Sequence, residues 1–208
     1  MPITAVGGKY ALALPVLRNM FEARKQVFVD LLKWNVPVVE ERYEIDQFDN
    51  IHATYLILTD KNGGHHASCR LLPTTRAHIL GSLFPQLCTG PVPEGPDIFE
   101  ITRFCLDRSL SSEGRKVARN RLVSEIVDHA IQQGISCYTG VAELNWFHQV
   151  QDFGWKCVAL GPSRRIEGRA MAGLSIMIDG KTIASMRAAG IYCNDDAVLA
   201  LPQVAGGN

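Results

Sequence analysis

The sequence predicts a mixed α/β fold in which helices cover both faces of one sheet. Two patterns support this prediction: two strand-like segments joined by a turn early in the chain, and a later strand–helix–strand–helix–strand order. The chain has 208 residues, of which 47% are hydrophobic and 20% are charged. These values are typical of a globular protein with a sizeable core, and we expect a single domain over residues 1–208.

The N-terminal half combines an amphipathic helical region with a β-hairpin. Apolar residues recur at helical spacing over residues 17–34, which predicts a helix or a pair of helices. Residues 35–52 contain two charge clusters and little periodicity, so we expect a loop whose length and acidity favour a functional role. The other elements predicted here are strands over residues 53–59 and 66–72 and a short helical segment over residues 79–87.

The C-terminal half carries the alternation of strands and helices. A strand over residues 98–107 places Glu100, Thr102 and Phe104 on one face and Ile101 and Arg103 on the other. A helix over residues 115–133, ended by Gly134, has an apolar side formed by Val117, Leu122, Ile126, Val127, Ala130 and Ile131. The remaining predictions are strands over residues 136–141, 155–160 and 172–178, a helix over residues 144–153 capped by Gly154, and a weakly structured tail after Asp195.

The composition excludes several classes of protein. The formal net charge is zero, so no global charge indicates nucleic acid or an anionic membrane as a partner. The six cysteines are far apart and form no C-x-x-C pair, which predicts buried, reduced thiols and no metal site. The apolar run over residues 11–17 is broken by Pro15 and lacks a basic leader, and no run is long enough to span a bilayer. We therefore expect a soluble, cytoplasmic protein.

Acidic residues supply the first candidates for chemistry. Glu100 lies in an apolar strand, where burial raises a carboxyl pKa toward the range of a general base, although an ion pair between neighbouring strands is an equally good interpretation. Glu44, Asp46 and Asp49 form an electronegative spot that suits a cationic ligand, with a solvated loop as the alternative. Arg70 is a plausible partner for one of these acids or for Glu100.

Aromatic and basic residues supply the second group of candidates. Arg24, Phe28 and Trp34 lie close enough in sequence to hold an adenine ring and a carboxylate, but aromatic residues at helical spacing are also ordinary core residues. The basic run over residues 115–121 opposes the dipole at a helix start, which favours an anionic partner such as a pyrophosphate or an acidic carrier protein. A solvated helix face is the alternative for this run.

Twelve dispersed residues match the signature of a known family in order and at similar spacing. They are Arg24, Phe28, Trp34, Glu44, Asp46, Phe48, Asp49, Arg70, Phe84, Glu100, Thr102 and Arg103. With this pattern, the chain resembles the LuxI-type acyl-homoserine-lactone synthases. The match extends over about residues 17–110 and, more loosely, over residues 111–180.

The resemblance implies a fold and a reaction. The fold is a mostly antiparallel mixed sheet flanked by helices, as in the GNAT acyltransferases. The enzyme transfers an acyl group from acyl carrier protein or coenzyme A to the amine of S-adenosylmethionine and then closes a lactone with release of methylthioadenosine. The product is a quorum-sensing signal. Both reactants are substrates, so no cofactor is expected.

The resemblance also implies roles for individual residues. Glu100, through a water, would be the catalytic base, with the catalytic Thr102 beside it. S-adenosylmethionine would bind Arg24, Phe28, Trp34, Asp46 and Asp49, and Glu44, Arg70 and Phe84 would support the site. Arg103, Phe104 and Trp146 would contact the acyl-phosphopantetheine arm, and Arg115, Lys116 and Arg119 would dock the carrier.

Two other functions remain as alternatives. One is a GNAT-type N-acyltransferase that acts on another amine, although residues 111–118 lack the glycine-rich pattern of that group. The other is a sensor that binds S-adenosylmethionine or an acyl thioester without turnover, although the presence of Glu100 and Thr102 argues against it. The acyl group, the donor type and the oligomeric state stay open.

Overall fold

A computed structural model describes residues 2–4 and 14–193 of the chain. The strands are β1 (Pro2–Thr4), β2 (Val38–Val39), β3 (Tyr43–Glu44), β4 (Thr54–Thr59), β5 (His65–Pro73), β6 (Ile98–Leu106), β7 (Cys137–Glu143), β8 (Lys156–Ala159), β9 (Arg164–Ile166) and β10 (Arg169–Met177). The α-helices are α1 (Pro15–Arg24), α2 (Ile79–Leu83), α3 (Ser112–Gln133), α4 (Leu144–Gln151) and α5 (Thr182–Ala188). A π-helix (Lys25–Leu31) continues α1, and a 3₁₀ turn (Pro85–Leu87) follows α2.

The main sheet has the strand order β1-β4-β5-β6-β7-β10-β8, and β9 pairs with β10. Its pairs are antiparallel except for the central pair of β6 and β7, which is parallel. This parallel pairing ends at Glu100 and Thr139, although β6 continues to Leu106 and β7 to Glu143. The two central strands therefore separate beyond Glu100, and an opening forms in the middle of the sheet.

Helices pack on both faces of this sheet, as predicted. On one face, α3 and α4 cover a core that contains Leu122, Ile126 and Leu174. On the other face, α1 and α2 cover a second core that contains Phe21 and Tyr55. The mixed, mostly antiparallel sheet flanked by helices is confirmed.

Helix α3 differs from its prediction in its start and in its buried side. It begins at Ser112 rather than near residue 115, because the Ser111 hydroxyl accepts a hydrogen bond from the N–H group of Gly114 and caps the helix. Val117 and Ile131 are 49% and 53% exposed, not part of the core. At about 100° per residue, both lie opposite the stripe centred on Ile126. Gly134 ends the helix at φ +69°, as predicted.

Several short elements escaped the sequence-based analysis. The segment expected to be one loop over residues 35–52 contains the hairpin of β2 and β3, and neither β9 nor α5 was predicted. These strands have two or three residues each, too few for a period of two to be recognised. The tail after Asp195 and the start of the run over residues 11–17 lie outside the described residues, and the single-domain prediction stays a prediction.

The cysteines are free thiols, and Cys69, Cys105 and Cys137 are buried, as expected of small apolar side chains. The prediction of burial is wrong for the other three, Cys88, Cys157 and Cys193, which are only partly buried. In the described part of the chain, no group of His, Cys, Asp or Glu residues is arranged to hold a metal ion. No helix of that part is long and apolar enough to cross a membrane.

Candidate active site

A cavity of about 710 Å³ fills the opening between β6 and β7. Its lining comes from both sides of the sheet, because the cavity passes through the gap between the two strands. Phe28, Trp34 and Val141 line the part on the α1 side. Trp146 and Phe153, which pack with the core under α3 and α4, line the other part. Two reactants can therefore approach the central gap from opposite faces of the sheet.

A buried ion network lies beside the α1 part of the cavity, and Asp49 is its centre. The Asp49 carboxylate accepts hydrogen bonds from both terminal nitrogens of Arg24 at 2.8 and 2.9 Å. It also contacts Arg70 Nη1 at 2.7 Å and accepts a bond from the Tyr55 hydroxyl at 2.6 Å. Burial alone would raise the pKa of Asp49, but Arg24 and Arg70 outweigh it and hold that pKa well below its ordinary value.

Two further acids complete the network. Glu44 accepts from Arg24 Nε at 2.6 Å and from Arg103 Nη2 at 2.9 Å. Asp46 accepts from Arg70 Nη1 at 2.6 Å and from Arg103 Nη2 at 2.7 Å. The predicted pairing of Arg70 with the acidic loop is confirmed. The predicted electronegative spot is wrong, because three guanidinium groups neutralise the three carboxylates.

A β-bulge at Arg103 brings this residue into the network. Arg103 has φ +53°, and the register between β5 and β6 shifts between Ser68 and Arg70. Beyond the bulge, Phe104 packs toward the core under α3 and α4 rather than on the face of Glu100 and Thr102. The simple alternation predicted for residues 98–107 is therefore wrong from Arg103 onward, since a bulge inserts one residue into the strand.

The aromatic residues predicted near the first substrate do lie together. The rings of Phe28 and Trp34 are stacked, with centroids 4.8 Å apart and planes 25° apart. The Arg103 guanidinium carbon lies 5.6 Å from the Phe28 centroid and 5.9 Å from the Trp34 centroid. The π-helix carries Phe28 to this position, and such helices are frequent at functional sites.

Glu100 is buried next to the start of α2. Its two carboxylate oxygens accept hydrogen bonds from the backbone N–H groups of Ile79 at 2.6 Å and Leu80 at 2.7 Å. Burial raises the pKa of Glu100 above its ordinary value, although these N–H groups and His78 act in the opposite direction. Thr102 lines the cavity and bonds to Arg70 Nε at 2.9 Å, so it connects the cavity to the ion network.

Of the three residues predicted for the acyl arm, Phe104 and Trp146 line the second part of the cavity, whereas Arg103 lies in the α1 part beside Phe28 and Trp34. Phe104 and Trp146 have ring centroids 5.2 Å apart, and Trp146 also contacts Phe153 at 5.9 Å. These aromatic side chains form an apolar wall on the α4 side of the gap. Phe84 does not belong to this wall and packs against the core under α1 and α2.

The three predicted docking residues have different surroundings. Arg115 lines the cavity and donates a hydrogen bond to the Leu110 carbonyl. Lys116 is exposed to solvent. Arg119 is half-buried, donates to the Asn120 side-chain oxygen and lies 5.2 Å from the centroid of the Phe153 ring. Only Arg115 and Lys116 of the three are thus placed to meet an anionic ligand or partner at the helix start.

Sequence reasoning missed several residues of the site. The hydroxyl of Tyr55 bonds to Asp49, and its position on β4 opposite Arg70 was the available signal. Arg108 and Glu143 line the cavity, but no recognisable motif marks either of them. Their positions depend on where β6 and β7 separate, which the sequence does not indicate.

The fold and the site define an acyltransferase with a GNAT-like architecture, in which the central strands separate around a substrate cavity. The sequence model of the family "Autoinducer synthase" matches residues 10–187, and the chain belongs to this family. An acyl-homoserine-lactone synthase of Ralstonia nicotianae is 34% identical over 169 residues, which cover 78% of this chain and 82% of that protein.

Solved structures support the same assignment. TofI, solved in a ternary complex with an inhibitor and MTA, is 26% identical in sequence to this chain. The two structures superpose with a TM-score of 0.73 over 90% of this chain and 95% of TofI. The CoA-dependent acyl-homoserine-lactone synthase MesI is 28% identical, with a TM-score of 0.76 and coverage of 91% and 95%. The predicted family, fold class and acyl-homoserine-lactone synthase activity are confirmed, while the roles of the individual residues stay predictions.

Proposed function

We propose that the cavity between β6 and β7 is where this acyl-homoserine-lactone synthase joins an acyl thioester to the amine of S-adenosylmethionine. The observation that carries this proposal is a cavity that borders the ion network at Thr102 and Arg103 and has an apolar aromatic wall at its other end. The first end offers a guanidinium group and the Phe28–Trp34 rings to the carboxylate and the cation of S-adenosylmethionine, and the second end suits an apolar acyl chain. The central gap is then where the two reacting atoms meet.

The Phe28–Trp34 pair and Arg103 bind S-adenosylmethionine. Aromatic faces attract a sulfonium or ammonium cation, and the two stacked rings border the cavity. The bonds of Arg103 to Glu44 and Asp46 use Nε and Nη2, which leaves Nη1 for a substrate carboxylate. Arg24, Asp46, Asp49 and Arg70 act mainly through these contacts, because their charged groups are buried in the network.

Glu100 accepts the proton of the substrate ammonium through a water. The amine becomes nucleophilic only after it loses this proton, and a carboxylate with a raised pKa is a better base at neutral pH. The N–H groups of Ile79 and Leu80 hold one lone pair on each oxygen and leave the others available. The amine attacks the thioester carbonyl, and the methionyl carboxylate then displaces methylthioadenosine to close the lactone.

The donor enters from the side of Arg108 and Arg115. Both residues line the cavity, and the start of α3 adds the positive end of a long helix dipole. A phosphopantetheine phosphate, which carrier protein and coenzyme A share, fits this charge. The acyl chain then lies along Phe104 and Trp146.

The test is to incubate purified protein with S-adenosylmethionine and a panel of acyl-carrier-protein and acyl-CoA donors, and to measure methylthioadenosine and lactone by mass spectrometry. We expect both products in equal amounts with at least one donor. Thioester consumption without methylthioadenosine would indicate acylation of another amine. Binding of S-adenosylmethionine without any turnover across the panel would indicate a sensor.

Two variants separate the donor types. Arg115→Met removes a charge that lines the cavity and should raise the KM for both donors. Lys116→Met removes an exposed charge on the same helix turn and should raise the KM for carrier-protein donors only. If the two variants raised the KM for acyl-CoA equally, the assignment of Arg115 to the phosphate of the donor would be wrong.

A further inference from the structure

Arg169 joins two walls of the cavity that are far apart in sequence. One terminal nitrogen forms an ion pair with the Glu143 carboxylate at the end of β7. The other terminal nitrogen donates a hydrogen bond to the backbone carbonyl of Leu32, just after the π-helix. Both Glu143 and Leu32 line the cavity. We call this arrangement of Arg169, Glu143 and Leu32 the Arg169 strap.

The strand register explains why Arg169 reaches Glu143. Met171 on β10 pairs with Glu143 on β7, and Arg169 lies two residues before Met171. Residues two apart in a strand point to the same face, so Arg169 is the diagonal neighbour of Glu143. Met171 also lines the cavity, so the strap lies at the edge of the cavity.

The segment that the strap holds is the one that carries the stacked aromatic pair. Leu32 is followed by Lys33 at φ +56° and then by Trp34, whose N–H group donates to the Phe28 carbonyl. A non-glycine residue in this left-handed conformation is strained, so the turn needs support from elsewhere. Arg169 supplies it by fixing the carbonyl immediately before the turn.

The chemistry of the strap requires arginine. A guanidinium group offers donors in a fixed planar fork, so one side chain can bind a carboxylate and a carbonyl at the same time. An ammonium group on a flexible stem cannot fix both partners in one geometry. The Arg169 and Glu143 side chains are 33% and 34% exposed, so the strap can also open without a large loss of stability.

We propose that Arg169 is a positioning residue that closes the α1 side of the cavity and fixes the Phe28–Trp34 wall against β7. This inference rests on the proposed function, in which that wall binds S-adenosylmethionine. With the strap closed, the amine is held at the thioester carbonyl and water is excluded. With the strap cut, the aromatic wall moves away and water attacks the thioester instead, which gives a carboxylic acid and a free thiol without lactone.

The first measurement is kinetic. Arg169→Met should raise the KM for S-adenosylmethionine about tenfold, which corresponds to about 1.4 kcal/mol, and should lower the yield of lactone per thiol released. Arg169→Lys should give an intermediate effect, and Glu143→Gln should resemble it. The matched control is Arg165→Met on β9, because the Arg165 side chain bonds only to the Gly168 carbonyl among the described contacts and does not line the cavity.

The second measurement does not depend on activity. Hydrogen–deuterium exchange of the amides over residues 25–34 should speed up in Arg169→Met and stay unchanged in Arg165→Met. Unchanged exchange in both variants would overturn the strap, whatever the kinetics show. Faster exchange in Arg169→Met together with no lactone from the wild-type protein would keep the strap and reject the proposed function. If Arg169→Met does not fold, Glu143→Gln decides by the same exchange readout.

Discussion

Replacing Asp49 with Asn tests the energetic role of the buried ion network. The Asp49 carboxylate is the shared acceptor for Arg24, Arg70 and Tyr55, and both arginine side chains are at most 1% exposed. Asn keeps the shape but removes the charge, so two buried guanidinium groups lose part of their compensation. Breaking a buried ion pair by removing one partner costs about 3–5 kcal/mol, and we expect a loss of this size in the free energy of unfolding.

The assay is urea denaturation at pH 7, followed by the fluorescence of the three tryptophans. Tyr55→Phe removes one bond to the same carboxylate and should cost about 1.5–3 kcal/mol. Glu22→Gln, which breaks the exposed pair with Arg42, should change little and serves as the control. A loss below about 1 kcal/mol for Asp49→Asn would refute the reasoning, because it would mean that water solvates the network.

The pH dependence of the same variant gives an independent check. The pKa of Asp49 is lowered in the folded protein, so its contribution to stability is present above the ordinary pKa of 3.8 and is lost as the pH falls below that value. The difference between wild type and Asp49→Asn should therefore be constant above about pH 5 and shrink in acid. A difference that grows in acid would contradict this sign.

Two further predictions concern stability away from the network. Glu40 and Glu41 form the turn between β2 and β3 at φ +52° and +53°, a conformation that strains both residues. Replacing them with Asn and Gly should raise the free energy of unfolding by about 1–2 kcal/mol. An unchanged melting temperature would show that the turn is not strained. Burial lowers the pKa of His65 to about 4 from its ordinary value of 6.5. The free energy of unfolding should therefore fall by about 3 kcal/mol as the pH falls from 6.5 to 4. His65→Gln should make the free energy of unfolding nearly independent of pH between 4 and 6.5. A pH dependence equal to that of the wild type would show that another group causes it.

The regular elements could be predicted from the sequence because their signals are local. Residues 53–59 and 66–72 are short runs rich in apolar residues on either side of a turn, a pattern typical of a β-hairpin. Gly134 marks the end of α3 because glycine readily adopts the left-handed backbone conformation found there. The prediction put Val117 and Ile131 on the buried side of α3, although helical geometry was enough to place them correctly. A count of 100° per residue from Ile126 puts both on the solvent side.

The bulge at Arg103 could not be predicted, because its cause is not local. Arginine has no preference for φ +53°, and the sequence around it reads as a plain strand. The conformation is stabilised by bonds from Arg103 to Glu44 and Asp46, which lie 59 and 57 residues earlier in the chain. Only the folded protein brings these partners together, so alternation alone gives the wrong face for Phe104.

The same long-range bonds connect the stability of the protein to its chemistry. Arg103 is held by Glu44 and Asp46 and lies over the rings of Phe28 and Trp34, so the position of the aromatic wall depends on the charged network behind it. The Arg169 strap restrains the segment that carries the same wall through the Leu32 carbonyl. Since one restraint is buried and the other is half exposed, loss of the network should lower both stability and activity, whereas loss of the strap should lower activity with little change in stability.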